Sequence, residues 1–283
     1  MSLGSPEQQA PHDFLIEAGR TEKQYWRDLW RYRELFAFLA WRDIAVRYKQ
    51  TIFGVLWALV QPLATAVVFT IIFSKVAGMK APEGIPYPLL VLVGTLSWTF
   101  FATALSNCSN SLVGSSNLLT KVYFPRLVVP VSSIVVAFVD FFITFVILCA
   151  MMAYFQFVPS WRIVFLPAFL AIAFGAAMGL GLWLASLNVE YRDFRFVLPF
   201  IVQFGFYVSP VGFSSSNIPE EWRLLYSLNP MATVIDGFRW SVLGIDGELY
   251  WQGLVGSLVI VGTLLASGIW YFRRMERTFA DVI

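Results

Sequence analysis

The sequence predicts an all-α integral membrane protein. It has six transmembrane helices, an N-terminal amphipathic interface helix, and two short outer re-entrant helices (the gate helices) between spans five and six. Hydrophobic residues make up 58% of the 283 residues and charged residues only 13%, against about 45–50% and about 25% in soluble domains. The apolar residues form continuous runs long enough to cross a bilayer. These runs lack the ten-residue alternation of barrel strands, so they predict helices.

Six apolar runs each contain the roughly 20 residues that a helix needs to cross about 30 Å of hydrocarbon. The second predicted span ends at residue 106, because residues 106–111 are mostly polar. The third run is interrupted only by Asp140. Within a transmembrane domain of residues 52–283, the predicted spans lie near residues 52–73, 88–106, 128–153, 163–187, 197–213 and 254–272.

The positive charges predict the orientation. With both termini in the cytoplasm, fifteen Lys and Arg residues fall on the cytoplasmic side and five on the outer side. This distribution agrees with the positive-inside rule. Residues 1–25 are polar, contain no signal-peptide core and are predicted to be mobile.

Residues 26–51 predict an amphipathic helix before the first span. Trp30, Leu35, Phe38 and Leu39 recur near helical spacing, with basic residues between them. Such a helix lies in the plane of the membrane interface. Two interpretations stay open: a membrane anchor that only sets topology, or a helix that also packs beside a cytoplasmic partner.

The loop between spans two and three, residues 115–127, is unusually apolar for a cytoplasmic turn. Half of residues 117–126 are apolar, and Pro125 ends any helix before the next span. Apolar side chains on the water side need a cover. The residues alone are equally consistent with two covers for these side chains. One is the protein's own interface, and the other is a second protein.

Residues 214–248 predict the two gate helices rather than a seventh span. Acidic and basic residues interrupt this region and Pro230 divides it. Asn229 is a suitable cap for the second short helix. Irregular backbone at membrane depth lines a cavity or is buried in protein, so this region is predicted to roof a pathway. The candidate structural and gate residues, besides Asp140, are Pro210, Glu220, Trp222, Asn229, Pro230 and Arg239.

Asp140 lies at the middle of the third span. A carboxylate there costs about 2.5–3.5 kcal/mol on insertion scales, so it is expected to face the interior of the helix bundle. It could act as a proton or ion relay, or as a polar clamp between helices. No other charge is expected at a comparable depth, so the clamp is favoured.

No catalytic, cofactor-binding or metal-binding residues are predicted. His12 is the only histidine, and the sequence contains no phosphate-binding loop of the Walker A type. The protein is therefore predicted not to be an enzyme. Aromatic side chains deep in the spans could line a path for sugars, although contact with lipid explains any single one as well. The candidates for such a path are Trp57, Trp98, Phe101, Phe204, Phe206 and Tyr207.

Four stretches together resemble a known family. They are 47–51 with Gly54, Trp57 and Pro62; Leu118 through Arg126 and on to Asp140; 187–193; and Ser209 through Trp240. They resemble the permease subunits of type-2 ATP-binding-cassette exporters of polysaccharides, namely the Wzm-like O-antigen and the teichoic-acid export permeases.

The resemblance implies a homodimer that works with two separate ATP-binding-cassette subunits, which carry ATP and Mg²⁺. It also implies a lipid-linked polysaccharide as substrate, contact with membrane lipids and none with nucleic acid, and a location in the bacterial inner membrane. It favours ATPase docking for the loop of residues 115–127. The implied ATPase-coupling residues are Asn117, Leu118, Leu119, Thr120, Lys121, Val122, Tyr123, Phe124 and Arg126.

Arg42, Arg47 and Lys49 stand where a lipid pyrophosphate could meet positive charge at the inner leaflet, although membrane topology explains them equally well. Several alternatives stay open for the function. One is a permease of the same fold that exports teichoic acid, a lipid or a drug. The others are a passive channel or scramblase and a membrane-embedded glycan-modifying enzyme.

Overall fold

The computed structural model describes residues 27, 29–49, 52–79, 81–82, 84–119, 124–191, 193–215, 218–245, 249–276 and 279, with 52–59 described as backbone only. Across these residues the chain forms helices and turns and contains no strand, which confirms the predicted all-α class. The helices are α1 Arg33–Lys49, α2 Ile52–Phe69, α3 Tyr87–Gly114, α4 Ser116–Leu119, α5 Val128–Tyr154, α6 Leu166–Glu190, α7 Phe194–Val208, α8 Glu220–Tyr226, α9 Pro230–Val242 and α10 Trp251–Met275. A π-helical segment, Thr70–Val76, continues α2, and a 3₁₀ segment, Trp161–Phe165, leads into α6.

Within the described part of the chain, four helical segments are long and apolar enough to cross a membrane, as expected of a multi-pass membrane protein. They are Tyr87–Gly114, Val128–Tyr154, Trp161–Glu190 and Trp251–Met275. The first and fifth predicted spans coincide with shorter apolar helices, Val60–Val76 and Phe194–Val208. The number of six spans therefore stays a prediction.

The helix α3 forms the centre of the fold. In its most apolar 18-residue window 78% of the residues are buried, against 22% for α10. It packs against α2, α5, α6, α7 and α9. A helix that is apolar on all sides is expected to be surrounded by other helices.

Two helices end at residues other than the predicted span ends. α3 continues to Gly114 because its polar side chains bond to its own carbonyls, as Asn110 Nδ2 does to Ser106 O at 2.9 Å and Ser111 Oγ to Cys108 O at 2.7 Å. α7 ends at Val208 rather than near residue 213, since Pro210 follows in the turn and Ser209 before it adopts an extended conformation.

The region 214–248 contains the two short helices α8 and α9. Asn229 caps α9, its side-chain oxygen accepting from Met231 N at 3.0 Å, which confirms the predicted cap. Eleven of the thirteen residues of α9 are buried, whereas none of α8 is. The two helices therefore differ in environment: α9 is part of the core, and α8 lies on its surface. Their re-entrant position stays a prediction.

Candidate functional site

A cavity of about 370 Å³ lies at one end of the helix bundle, between α1, the C-terminal half of α3 and the N-terminal half of α5. We call it the polar cavity because nine of its thirteen described wall residues are polar or charged, the other four being Val46, Gly114, Val129 and Val136. Its volume falls within the range of about 300–1,000 Å³ that is usual for ligand sites. Two arginines, Arg42 and Arg47, and one carboxylate, Asp43, lie on its wall. The other polar wall residues are Ser106, Asn107, Asn110, Ser111, Ser115 and Ser133.

The polar wall comes mainly from the last two turns of α3. Asn107 Nδ2 donates to the carbonyl of Ser133 at 3.3 Å, which joins α3 to α5. Ser133 Oγ bonds in turn to Pro130 O at 2.8 Å within α5. These bonds to backbone carbonyls hold the Asn107 amide and the Ser133 hydroxyl in place at the cavity wall.

Both arginines on the wall are paired with carboxylates. Arg42 donates to Asp43 Oδ1 from Nε at 2.9 Å and from Nη2 at 2.7 Å, and to Ser115 Oγ at 3.4 Å. Arg47 Nη2 lies 2.6 Å from Asp140 Oδ2. The two ion pairs leave this part of the wall close to neutral.

Asp140 also accepts a hydrogen bond from the hydroxyl of Tyr48. Burial, and then the bond to Asp140, raise the pKa of the Tyr48 phenol. The phenol therefore stays protonated at neutral pH and remains a donor. Through Arg47 and Tyr48 the end of α1 is fastened to α5.

The expectation that no other charge reaches the depth of Asp140 is wrong. Asp140 stands twelve residues after the start of α5, which is about 18 Å along the helix. Since α1 packs along α5, its last turn carries Arg47 to that level. The contact between helices has the form of the predicted clamp.

The three predicted phosphate-binding residues are not all in one place. Arg42 and Arg47 share the cavity wall, whereas Lys49 is exposed and is not among the lining residues. The sequence does not predict the cavity itself. The polar stretch 106–111, read as the end of a span, is the signal that could have located it.

The predicted coupling residues divide into buried and exposed ones. Leu119 and Phe124 are 6% and 4% exposed, so this chain covers both side chains. Leu118 is half-buried and Asn117 is exposed. Thr120, Lys121, Val122 and Tyr123 lie outside the described residues.

Arg126 connects the base of this loop to the end of α10. Its backbone N–H donates to Glu276 Oε1 at 2.8 Å, and its guanidinium donates to the carbonyl of Glu276. Phe279, 1% exposed, lies beneath the guanidinium, with 5.9 Å between the guanidinium carbon and the ring centroid.

The predicted aromatic path does not form one surface. Trp98, Phe101 and Phe206 pack together in the interior, with ring centroids 5.3 Å apart for Trp98–Phe101 and 6.0 Å for Trp98–Phe206. Phe204 and Tyr207 are exposed. The side chain of Trp57 lies outside the described residues. Whether any of these rings lines a path stays a prediction.

Arg239 holds the turn that follows α7. It is completely buried and donates to Phe213 O at 2.7 Å and to Val211 O at 3.0 Å. Close by, Asn229 Nδ2 donates to Ser209 Oγ at 2.9 Å.

The other predicted gate residues lie in different environments. Pro210 is buried and Pro230, at the start of α9, is half-buried. Glu220 and Trp222 are exposed on α8. The structure therefore brings Asn229, Pro210 and Arg239 to one turn, and their role in a gate stays a prediction.

The long apolar helices define a multi-pass membrane protein, and a cavity with charged and polar residues on its wall lies between three of its helices. The chain belongs to the ABC-2 type transporter family, whose model matches residues 34–243. This match extends from α1 through α9 and includes every wall residue of the cavity. The predicted resemblance to export permeases is thereby confirmed.

Named relatives agree with this membership. The chain is 27% identical over 254 residues to an O-antigen export system permease protein RfbA of Klebsiella pneumoniae, covering 88% of this chain and 95% of that protein. It is 29% identical over 216 residues to the Myxococcus xanthus protein of the same name, with coverages of 75% and 82%. It is 23% identical over 210 residues to the polysialic acid transport protein KpsM of Escherichia coli, with coverages of 71% and 78%.

Proposed function

We propose that the protein is the transmembrane subunit of an ATP-driven exporter that moves a lipid-linked polysaccharide of the O-antigen type from the cytoplasm across the bacterial inner membrane. The observation that carries this proposal is the polar cavity with Arg42 and Arg47 on its wall. The relatives whose names refer to O-antigen and polysialic acid transport support it.

The chemistry of the cavity suits the head of such a substrate. Guanidinium groups bind phosphate oxygens through paired, charge-assisted hydrogen bonds. The serine and asparagine side chains offer hydroxyl and amide groups for sugar hydroxyls. A diphosphate next to a sugar presents both kinds of partner within a few ångströms.

The proposal places both termini in the cytoplasm and counts six crossings. α2 and its π-helical continuation run from Ile52 to Val76 without interruption. At 1.5 Å per residue an α-helix of that length exceeds the roughly 30 Å of hydrocarbon. α7 supplies the fifth crossing together with the turn that follows it.

Energy is proposed to come from two separate ATPase subunits that bind a homodimer of this chain. The sequence contains no Walker A loop, so ATP and Mg²⁺ are assigned to those partners. The loop of residues 115–127 is the proposed docking site. Because Leu119 and Phe124 are buried in this chain, we assign docking to other residues of the loop, among them the exposed Asn117.

Reconstituted export tests the proposal. The homodimer and its ATPase partner are placed in liposomes that contain a lipid-linked O-antigen-type polysaccharide, and the glycan that reaches the opposite leaflet is measured with and without ATP. We expect transfer only with hydrolysable ATP. Transfer without ATP would indicate a passive scramblase. ATPase stimulation by drugs or simple lipids, but not by the glycan, would indicate a different substrate class.

A further inference from the structure

We propose that the Arg47 guanidinium is an anion-binding site and that the carboxylate of Asp140 occupies it when no ligand is bound. A phosphate group of the ligand then replaces the carboxylate, and this exchange loosens α1 from α5. The ligand class is an isoprenoid diphosphate, and this part of the inference rests on the proposed function. The roles of Arg47 and Asp140 rest on their geometry.

Arg47 stands between the cavity and Asp140. Its guanidinium lies 2.6 Å from Asp140 Oδ2, and the residue is part of the cavity wall. Its side chain is 44% exposed, whereas that of Asp140 is 8% exposed. A guanidinium has five N–H donors, more than one carboxylate can accept. The exposed part of the guanidinium can therefore meet a ligand in the cavity first, and the ligand can then replace Asp140.

The charges on the wall make binding a competition. Arg42 is matched by Asp43 and Arg47 by Asp140, so an incoming anion meets cations that are already neutralised. A diphosphate has more charge and more acceptor oxygens than a carboxylate, and it can engage both guanidinium groups together. A monophosphate is expected to compete less well and an uncharged alcohol not at all.

The exchange has a structural consequence. Two adjacent residues of α1, Arg47 and Tyr48, bind the Asp140 carboxylate. When Arg47 turns to a ligand, the carboxylate keeps Tyr48 but loses its counter-charge at membrane depth, which is unfavourable. Asp140 therefore lowers the affinity of Arg47 for the anion. It also couples anion binding to the packing of α1 against α5.

Binding measurements on the intact transporter complex test the exchange. The probes are farnesyl diphosphate, farnesyl monophosphate and farnesol, titrated against wild type, Asp140→Asn and Arg47→Gln. We expect Asp140→Asn to bind the diphosphate roughly tenfold more tightly and Arg47→Gln roughly tenfold more weakly. The double variant should be as weak as Arg47→Gln, because Asp140 acts only through Arg47.

A matched control separates a local effect from a change in net charge. Glu34 is exposed near the start of α1 and is not part of the cavity wall. Glu34→Gln removes the same charge as Asp140→Asn, from α1 rather than α5 and away from the cavity, and should leave the affinity unchanged. Equal or weaker diphosphate binding by a folded Asp140→Asn, or equal gains in both variants, would overturn the proposal. So would the absence of diphosphate binding by wild type and Asp140→Asn alike.

A second measurement keeps Asp140 and so avoids a folding defect. Val46 on α1 and Val136 on α5 both line the cavity, and cysteines at these positions, joined by a thiol-specific crosslinker, report on the packing of the two helices. Farnesyl diphosphate should slow crosslinking severalfold, and farnesol should not. An unchanged rate in the presence of bound diphosphate would contradict the exchange.

These outcomes are distinguishable from failure of the proposed function. If the diphosphate binds and the exchange occurs but the complex moves no lipid-linked glycan, only the export proposal fails. If the complex exports glycan while the Asp140→Asn affinity stays at the wild-type value, only the exchange fails.

Discussion

Arg47 on α1 and Asp140 on α5 form an ion pair of 2.6 Å. The pair joins a helix that precedes the first span to the middle of a membrane-crossing helix, and Tyr48 adds a second contact to the same carboxylate. A charge at that depth is tolerated when a counter-charge and a hydrogen bond accompany it. Arg47 belongs both to this ion pair and to the wall of the polar cavity.

The two arginines should matter for substrate handling and the neighbouring lysine should not. Arg42→Gln removes one of the two proposed phosphate-binding groups from the wall, so glycan-stimulated ATP hydrolysis should fall roughly tenfold. Lys49→Gln removes the same charge outside the cavity and should change it less than about twofold. Equal losses in both variants would indicate a general effect of positive charge on topology.

Substitutions in the loop of residues 115–127 should separate folding from coupling. Leu119 is buried, so Leu119→Glu should lower the free energy of unfolding by roughly 3 kcal/mol or more, seen as a lower Tm in detergent. Asn117 is exposed, so Asn117→Asp should leave the Tm unchanged and reduce ATPase stimulation. A normal Tm for Leu119→Glu would contradict the observed burial.

Arg239 should be a major stabilising residue of the turn after α7. Arg239→Met leaves the carbonyls of Val211 and Phe213 without these donors, at about 1–3 kcal/mol each. Arg162→Met is a suitable comparison, since Arg162 is half-buried and lies 5.1 Å from the ring centroid of Trp240. Thermal unfolding should show a clearly larger loss of Tm for Arg239→Met, and the reverse order would be inconsistent with the contacts.

Gly94 should tolerate no side chain. A Cβ atom there would lie 2.6 Å from Val211 O and 3.1 Å from Arg239 Nη2, so Gly94→Ala should cost roughly 1–3 kcal/mol. Gly262 on α10 has open space around the same position. Gly262→Ala should be neutral or slightly stabilising, since alanine favours helix over glycine. Thermal unfolding compares the two directly, and similar Tm values would refute the close approach at Gly94.

Hydrophobicity predicts much of the fold, because crossing hydrocarbon imposes length and apolarity on a helix. The four long helices, the cap at Asn229 and the break at Pro230 follow from such local rules. The end of α3 does not. Polar residues such as Asn110 predict the end of a span, and the structure adds that the helix continues past them to Gly114, with Asn110 bonded to its own helix and part of the cavity wall.

Contacts between segments that are distant in the sequence are harder to predict than the helices themselves. Arg47 and Asp140 are both visible in the sequence, but their pairing depends on how far α1 runs along α5. The exposure of Phe204 and the burial of Trp98 likewise depend on which helices pack together, since both are large aromatics in apolar runs. The local sequence pattern does not determine which helices pack together.

Photo-crosslinking tests most directly whether the polar cavity receives the substrate. Benzoylphenylalanine replaces Asn110 on the cavity wall or, as a control, Val113, which is exposed on the same helix and is not a wall residue. With the assembled transporter exporting lipid-linked polysaccharide, position 110 should crosslink to the glycolipid and position 113 should not, and ATP should reduce the signal. Export without any crosslink at position 110, or equal crosslinking at both positions, would contradict the assignment of this cavity.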